Sequence, residues 1–480
     1  MGKRSISKNS FYSICYKLVG VLFPLIISSY SSHILMPTGV GKVALAQNIT
    51  TYFVTISALG IPNYGTKKIG SIQNNTDEKN KVFTELFVIN LVSTIICAVV
   101  FFIMIFNIPY FKGNELYIVF SMLILFNIAN VDWLYQGLEE YKYIAVRSII
   151  VKLACLIILP ILVRDENDIF QYAFILCIST VGNYVFNIIY LRKFVCFTTK
   201  NLNFKRHLKY IFILLASVCA TEIYTMLDST MVGVMCSETD LGYYTNASKT
   251  ARMLYVLITA ACAVYLPRLS LYWKENRRNE FENLASQGMK LVLILSIPIF
   301  CGAEVLADRI IPVLFGKEFT SSIFTLRILA ILVIIFSVAY IGGHVILIAS
   351  NREKYTMYAA IAGAISNFTL NLILIRVIGF NGAAIASVFA ETIVTVVLIL
   401  SARPAVNYHI KAHFYISTFV SCFGMTLVVL MLKRIIQDQL LSCVVCTILG
   451  GIIYFIFQYL LKNDVVISLV LKIRNRIKFC

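Results

Sequence analysis

Fourteen apolar stretches, each about the length of a bilayer crossing, follow one another along this chain and are separated by short polar connections. They cover 11–33, 43–62, 82–106, 116–135, 144–163, 169–191, 210–235, 247–267, 288–310, 322–349, 355–375, 383–402, 412–432 and 441–461. About twenty helical residues span the roughly 30 Å hydrocarbon core. Only a helix satisfies its own backbone there, because lipid offers no hydrogen-bond partner. The sequence therefore predicts an all-α integral membrane protein of about 14 transmembrane helices. Composition agrees: with 59% hydrophobic and 14% charged residues, the chain carries more apolar surface than a soluble domain buries.

Charge sets the expected orientation. Alternate connections (1–17, 63–81, 136–147, 192–209, 268–287, 350–354, 403–411 and 462–480) hold 29 Lys and Arg residues. The opposite connections hold only eight: Lys42, Lys112, Arg164, Arg309, Lys317, Arg376, Lys433 and Arg434. The positive-inside rule then places both termini in the cytoplasm. The net charge of +18 is scattered between apolar runs and forms no single basic face, so nucleic-acid binding is not expected. No connection exceeds about twenty residues, which leaves no extramembrane domain to house an active site, and no enzyme activity is expected.

Thirteen cysteines are an odd number, and nearly all lie inside apolar runs, where Cys behaves as a small hydrophobe. Cys443 and Cys446 form a CxxC without a second Cys/His pair, so neither a zinc site nor a redox centre is expected, and no cofactor. The basic start (Lys3, Arg4, Lys8) and the apolar run behind it resemble a signal peptide. Lys17 interrupts that run and no small-residue cleavage site follows, which reads as an uncleaved first helix.

The stretch Pro24 to Lys68 joins two apolar runs through a turn at Pro37, Gly39 and Gly41, and exits through LGIPNYG into Lys67 and Lys68. A similar pattern returns at 231–270, where an Asp/Leu/Gly turn precedes an apolar helix ending in Pro267 and Arg268. The recurrence suggests two parallel halves. Pro24, Pro160 and Pro298 fall within helices, as in kinked helices that line a cavity. Trp133 and Trp273 fall near inner helix ends, where interfacial indoles belong.

The informative side chains are ionisable groups inside the apolar runs, each of which costs at least about 2.5–3.5 kcal/mol at a helix centre. Lys152, Glu222 and Glu391 lie nearest mid-helix. Asp228, Lys249, Arg252 and Arg327 lie toward the outer half, and Lys17, Asp132, Arg147 and Lys290 toward the inner half. Lysines and arginines of the inner group can snorkel to the interface, whereas Asp132 is too short to reach far. Inward cations suit a diphosphate or another anionic headgroup stripped of water. Buried carboxylates suit proton or sodium exchange. An interhelical pair between Lys152 and a carboxylate is the structural alternative.

Several segments together carry a resemblance. LGIPNYGTKKIG at 59–70, VDWLYQGLEEYKYIAVRSIIVKL at 131–153, LDSTMVG at 227–233, LGYYTNASK at 241–249 and LPRLS at 266–270 are followed by GHVILIASNREKY, SNFTLNLILI and IGFNGAAIASVFAE between 343 and 391. In this order, over nearly the whole chain, they resemble the Wzx-type polysaccharide repeat-unit flippases of the multidrug/oligosaccharidyl-lipid/polysaccharide exporter superfamily. The motifs are mostly turns of the fold rather than chemical signatures.

That resemblance implies two pseudo-symmetric six-helix lobes and two further C-terminal helices, with lobes at 1–200 and 201–405 and the additional helices and basic tail at 406–480. It implies alternating access, with undecaprenyl-diphosphate-linked oligosaccharide as substrate, moved across the bacterial cytoplasmic membrane for O-antigen, capsule or a related polymer. Polysaccharide polymerase machinery would be a partner. Cavity-lining helices 1, 2, 7 and 8 of the superfamily would place Lys17, Glu222, Asp228, Lys249 and Arg252 near the site. Lys152 is added as a substrate-binding cation, and Asp132 and Glu391 as ion-coupling carboxylates. A drug or peptidoglycan-precursor exporter would share the fold. A polymerase or ligase would need a large outer loop, and a passive scaffold would have little use for Lys152, Glu222 and Glu391.

Overall fold

The computed structural model describes residues 6–262 and 264–468, and these are helical with short connections and no strand. The chain packs as two units that divide after Gly242.

The first unit opens with α1 (Ile6–Ala58), which is two helices meeting at Met36, a non-helical residue at φ 58° and ψ 172°. The turn expected over Pro37–Gly41 is thus a kink, with Pro37 already inside the second helix. There follow α2 (Ile61–Ser71), α3 (Thr76–Asn107), α4 (Leu116–Leu125), α5 (Asp132–Gly137), α6 (Tyr141–Leu162), α7 (Ile169–Leu191) and α8 (Lys205–Met235). Helix α9 (Glu238–Cys262) begins in this unit. Its start is a reciprocal cap, in which the Asp240 amide donates to Ser237 Oγ at 3.1 Å and the Ser237 amide donates to the Asp240 carboxylate at 3.2 Å. Before α7, the amides of Arg164 and Asp165 donate to Asp168 and hold its carboxyl below the usual range.

The core of this unit lies where α2, α3 and α5 meet, around Ile61, Ile69, Phe83 and Trp133. Trp133 is 2% exposed and stacks on Phe83 at 5.7 Å. It is therefore a core residue, not the interfacial anchor its position suggested; Gly65 supplies the space for its ring. The outward faces of α3 and α6 show Val92, Ile96, Ile103, Ile150 and Ile157, each at least half exposed, as a lipid-facing surface requires.

The second unit contains α10 (Tyr265–Lys274), α11 (Arg278–Phe315), α12 (Ser322–Ala330), α13 (Leu332–Ala339), α14 (Ile346–Ala349), α15 (Lys354–Ile378), α16 (Phe380–Ala402), α17 (Ala412–Ile435) and α18 (Gln439–Leu460). A π-helical turn at Tyr340–Val345 joins α13 to α14. Phe281, Met289, Val333 and Leu398 centre one core. A second core fastens α17 and α18 to α11, where the Tyr454 hydroxyl donates to the Ile294 carbonyl at 2.9 Å.

Among the described residues eleven helices are long and apolar enough to span a membrane, or twelve with the bent α8. The difference from fourteen has physical causes. Two expected spans merge in α1 across Met36, and α9 carries Glu238, Asp240, Lys249 and Arg252.

Candidate functional site

In the first unit, polar side chains of α1 and α8 meet over about one turn. Asn48 Nδ2 donates to Ser229 Oγ at 3.0 Å, and the hydroxyls of Tyr52 and Thr230 are 2.9 Å apart. Glu222 and Asp228 lie on α8 within electrostatic reach of the Tyr52 hydroxyl. The two halves of α8, Lys205–Glu222 and Tyr224–Met235, meet at 50°. No proline lies there. Instead Thr221 donates to the Ser217 carbonyl, Thr225 to that of Glu222, and Ser229 and Thr230 to that of Met226. Such back-bonding competes with the helix ladder and bends helices. Glu222 thus sits at the bend.

Lys152, on α6, places its ammonium 5.4 Å from the Phe23 ring centre, a cation–π contact that partly offsets the loss of water. Among the described residues it forms no ion pair. Lys17 belongs to α1, and its side chain lies outside the described part of the structure.

Asp132 and Arg147 form a closed polar knot. The Arg147 guanidinium donates to both Asp132 oxygens at 2.9 and 3.1 Å, to Asn183 at 3.2 Å, and to Asn187. Asn187 Nδ2 also donates to Asp132 at 2.7 Å. With only 3% of its side chain exposed, Arg147 does not snorkel; it joins α5, α6 and α7.

In the second unit, Arg252 on α9 and Glu391 on α16 both act on the Tyr255 hydroxyl, and the Tyr255 ring packs on Phe336 at 4.3 Å. Glu391 is 8% exposed, whereas Arg252 is exposed. Lys249 lies one turn before Arg252 and is half-buried. Tyr244 and Ser387 link α9 to α16 through hydroxyls 3.3 Å apart. Asp228, Lys249, Arg252 and Glu391 each engage neighbouring groups.

Two constellations escaped the sequence reading. At the base of α8, Glu85 is fully buried and holds Arg206 at 2.6 Å and His207 at 2.7 Å. It also accepts the Asn203 amide, while Tyr64 meets the other His207 nitrogen at 2.8 Å. Glu78 takes the remaining Arg206 arm at 2.7 Å. Counting Arg206 only as an inner-loop cation hid this, although a carboxylate one turn inside an apolar run was a signal for it. The second constellation is a crossing of α1 just past Met36 with the start of α9. Thr38 and Thr239 hydroxyls are 2.7 Å apart, and Lys42 approaches Glu238 at 3.8 Å. A Cβ at Gly41 would stand 1.7 Å from the Glu238 carbonyl oxygen, and one at Gly242 would stand 2.0 Å from that of Pro37. Only glycine allows two backbones this close.

Comparison with known proteins bears on this arrangement. A family model described as "Polysaccharide biosynthesis protein" matches residues 6–273, and a MatE model matches 214–373. A protein of Haloferax volcanii described as "Probable low-salt glycan biosynthesis flippase" is 30% identical over 41% of this chain, an alignment that spans only 39% of that protein. A protein of Shigella dysenteriae described as an O-antigen transporter is 24% identical over 80% of this chain and 96% of its own length. Among solved structures, the lipid II flippase MurJ in an inward closed conformation superposes with a TM-score of 0.66 at 15% identity, covering 93% of this chain and all of that one. These relatives are described as transporters and flippases. The resemblance carried by the loop motifs is borne out: the chain belongs to the polysaccharide biosynthesis protein family, with the helical fold of the multidrug/oligosaccharidyl-lipid/polysaccharide exporter superfamily.

Proposed function

We propose that the chain is a flippase that moves undecaprenyl-diphosphate-linked oligosaccharide from the inner to the outer leaflet of the bacterial cytoplasmic membrane, feeding O-antigen, capsule or a related surface polymer. The observation that carries the reading is charge retained deep inside apolar helices, at Lys152, Glu222 and Glu391. Such groups are costly in lipid and mark substrate or ion paths.

On this reading Lys152, Lys249, Arg252 and Lys17 hold the diphosphate, whose oxygens need charge-assisted donors once water is removed. Glu222, Asp228 and Glu391 exchange the coupling ion. Glu222 is placed at the bend of α8, where loading a proton would be felt by both halves of the helix. Asp132 takes a different part: Arg147 and Asn187 donate to its carboxylate, so it ties α5 to α6 and α7 and positions these helices. Alternating access supplies the motion. The MatE match over 214–373 supports a second reading, a drug or lipid-linked precursor exporter.

The test is deletion of the gene in its host, with lipid-linked oligosaccharide extracted and assigned to a leaflet by a membrane-impermeant sugar-modifying reagent. A flippase leaves complete repeat units on the inner leaflet and loses surface polymer. Accumulation on the outer leaflet would overturn the proposal in favour of a polymerase or ligase, and altered drug tolerance without accumulation would favour the exporter.

A further inference from the structure

Three of the eight cations in the connections opposite the termini converge on one place. Arg309 of α11 and Lys433 and Arg434 of α17 line a pocket of about 410 Å³, together with Leu430 and Gln437. Arg309 is far from the other two in sequence, since α11 and α17 are separated by five other helices. Elsewhere on this side cations are sparse, so their convergence calls for a cause.

Helix electrostatics accounts for part of it. Lys433 and Arg434 occupy the last turn of α17, where positive charge complements the macrodipole. Lys433 is also accounted for, because it donates to the Asp308 carboxylate at 2.6 Å and to the Val305 carbonyl at 2.8 Å. Arg309 is not. It lies more than a turn before the end of α11. Among the described residues its Nη1 reaches only the Gln437 carbonyl, at 3.4 Å, and its Nε is buried without a hydrogen-bond partner. A buried guanidinium N–H left unsatisfied is costly. Arg434 and Gln437 are exposed at the rim. Two carboxylates stand nearby, Asp308, held by Lys433, and Asp438, which caps the Leu441 amide at 2.7 Å. The three cations therefore still outnumber the carboxylates.

We propose that this pocket binds a phosphate-bearing anion, gripped by the Arg309 and Arg434 guanidinium groups, with Lys433 fixed by Asp308 as a supporting charge. Planar guanidinium forks match phosphate oxygens in pairs. At about 410 Å³ the pocket falls within the range of small-ligand sites, roughly 300–1,000 Å³. Two sources offer this chemistry at a membrane surface: the headgroup of an anionic phospholipid, or the diphosphate of a lipid-linked glycan. The inference rests on the pocket alone and stands whichever cargo the protein carries.

The experiment uses the full-length protein in two arms. In the first, inorganic diphosphate is titrated in detergent while thermal unfolding is followed by tryptophan fluorescence. In the second, the protein is placed in nanodiscs of mixed phosphatidylglycerol and phosphatidylcholine, and retained lipid is counted by native mass spectrometry. The variants are Arg309→Gln, Arg434→Gln and, as a control, Lys112→Gln, an exposed cation at another connection. We expect an affinity loss of about tenfold or more in the first two, the worth of one charge-assisted hydrogen bond, and none in the control. Protection by diphosphate without retained phosphatidylglycerol assigns the glycan-linked diphosphate, and retained phosphatidylglycerol assigns the headgroup. If neither probe binds, or the arginine variants respond like the parent, the proposal is overturned. Arg434 is exposed, so its variant decides the matter even if Arg309→Gln fails to fold.

Discussion

Replacing Gly41 by Ala should part the crossing of α1 and α9. The new methyl carbon would lie 1.7 Å from the Glu238 carbonyl oxygen and 2.6 Å from its carbon, where ordinary contact begins at 3.4 Å. The obstacle is backbone rather than a side chain that can swing away, so the two segments must separate by about 1.7 Å. That is enough to break the 2.7 Å Thr38–Thr239 bond and to weaken the Lys42–Glu238 pair. Overpacking of this kind costs typically about 1–3 kcal/mol, which shifts an open-to-closed equilibrium by roughly 5- to 150-fold. The assay is labelling of a cysteine introduced at Thr239 by a membrane-impermeant maleimide, with and without Gly41→Ala and with the parent's native cysteines as background. Labelling should rise several-fold in the alanine variant, and Gly242→Ala should act in the same direction against Pro37. Unchanged labelling together with an unchanged unfolding midpoint would refute the claim that close backbone approach holds this crossing shut.

Asp132→Asn should destabilise the first unit by about 3–5 kcal/mol, because it leaves the buried Arg147 charge uncompensated; thermal unfolding in detergent measures it, and a shift of under a degree would remove the pair from the account. Glu85→Gln should loosen the connection before α8, and trypsin should then cut at exposed Lys200 faster than in the parent. Lys152→Met should lower export of surface polymer while protein level and unfolding midpoint stay near the parent's, because the Phe23 contact is replaced by an apolar one. Glu222→Gln should weaken any dependence of transport on the proton gradient, checked by comparing uptake into vesicles with and without an uncoupler; equal sensitivity in both proteins would exclude Glu222 from coupling.

Much of this fold was legible because lipid simplifies the code. A run such as 82–106 or 412–432 can only be a buried or lipid-facing helix, and α3 and α17 cover those residues. The breaks were harder to read. Pro37, Gly39 and Gly41 look like a turn, yet the chain breaks at Met36, and the two glycines beyond it serve close packing instead. For the candidate site, the sequence singled out Lys152, Glu222 and Glu391 by their depth in apolar runs and could not assign their partners. Asp132 looked like an isolated acid because its donors, Arg147 and Asn187, come from two other helices. Arg309 and Arg434 looked like ordinary loop cations for the same reason. Periodicity reports which face of a helix is polar, and says nothing of which distant residue completes the polar group.

The connection before α8 has a mechanical meaning. Its backbone is stitched to α3 at Cys196, Thr198 and Asn203, whose amides donate to Asn80, Thr84 and Glu85, and Arg206 adds its ion pairs. A segment that reads as a flexible linker is therefore a mooring. The lower half of α8 is tied to α3 as a post is set in its footing, and the nearest compliant point is the bend after Glu222. Displacement of the upper half should turn there, so that the residue carrying a titratable charge is also the one at the fulcrum.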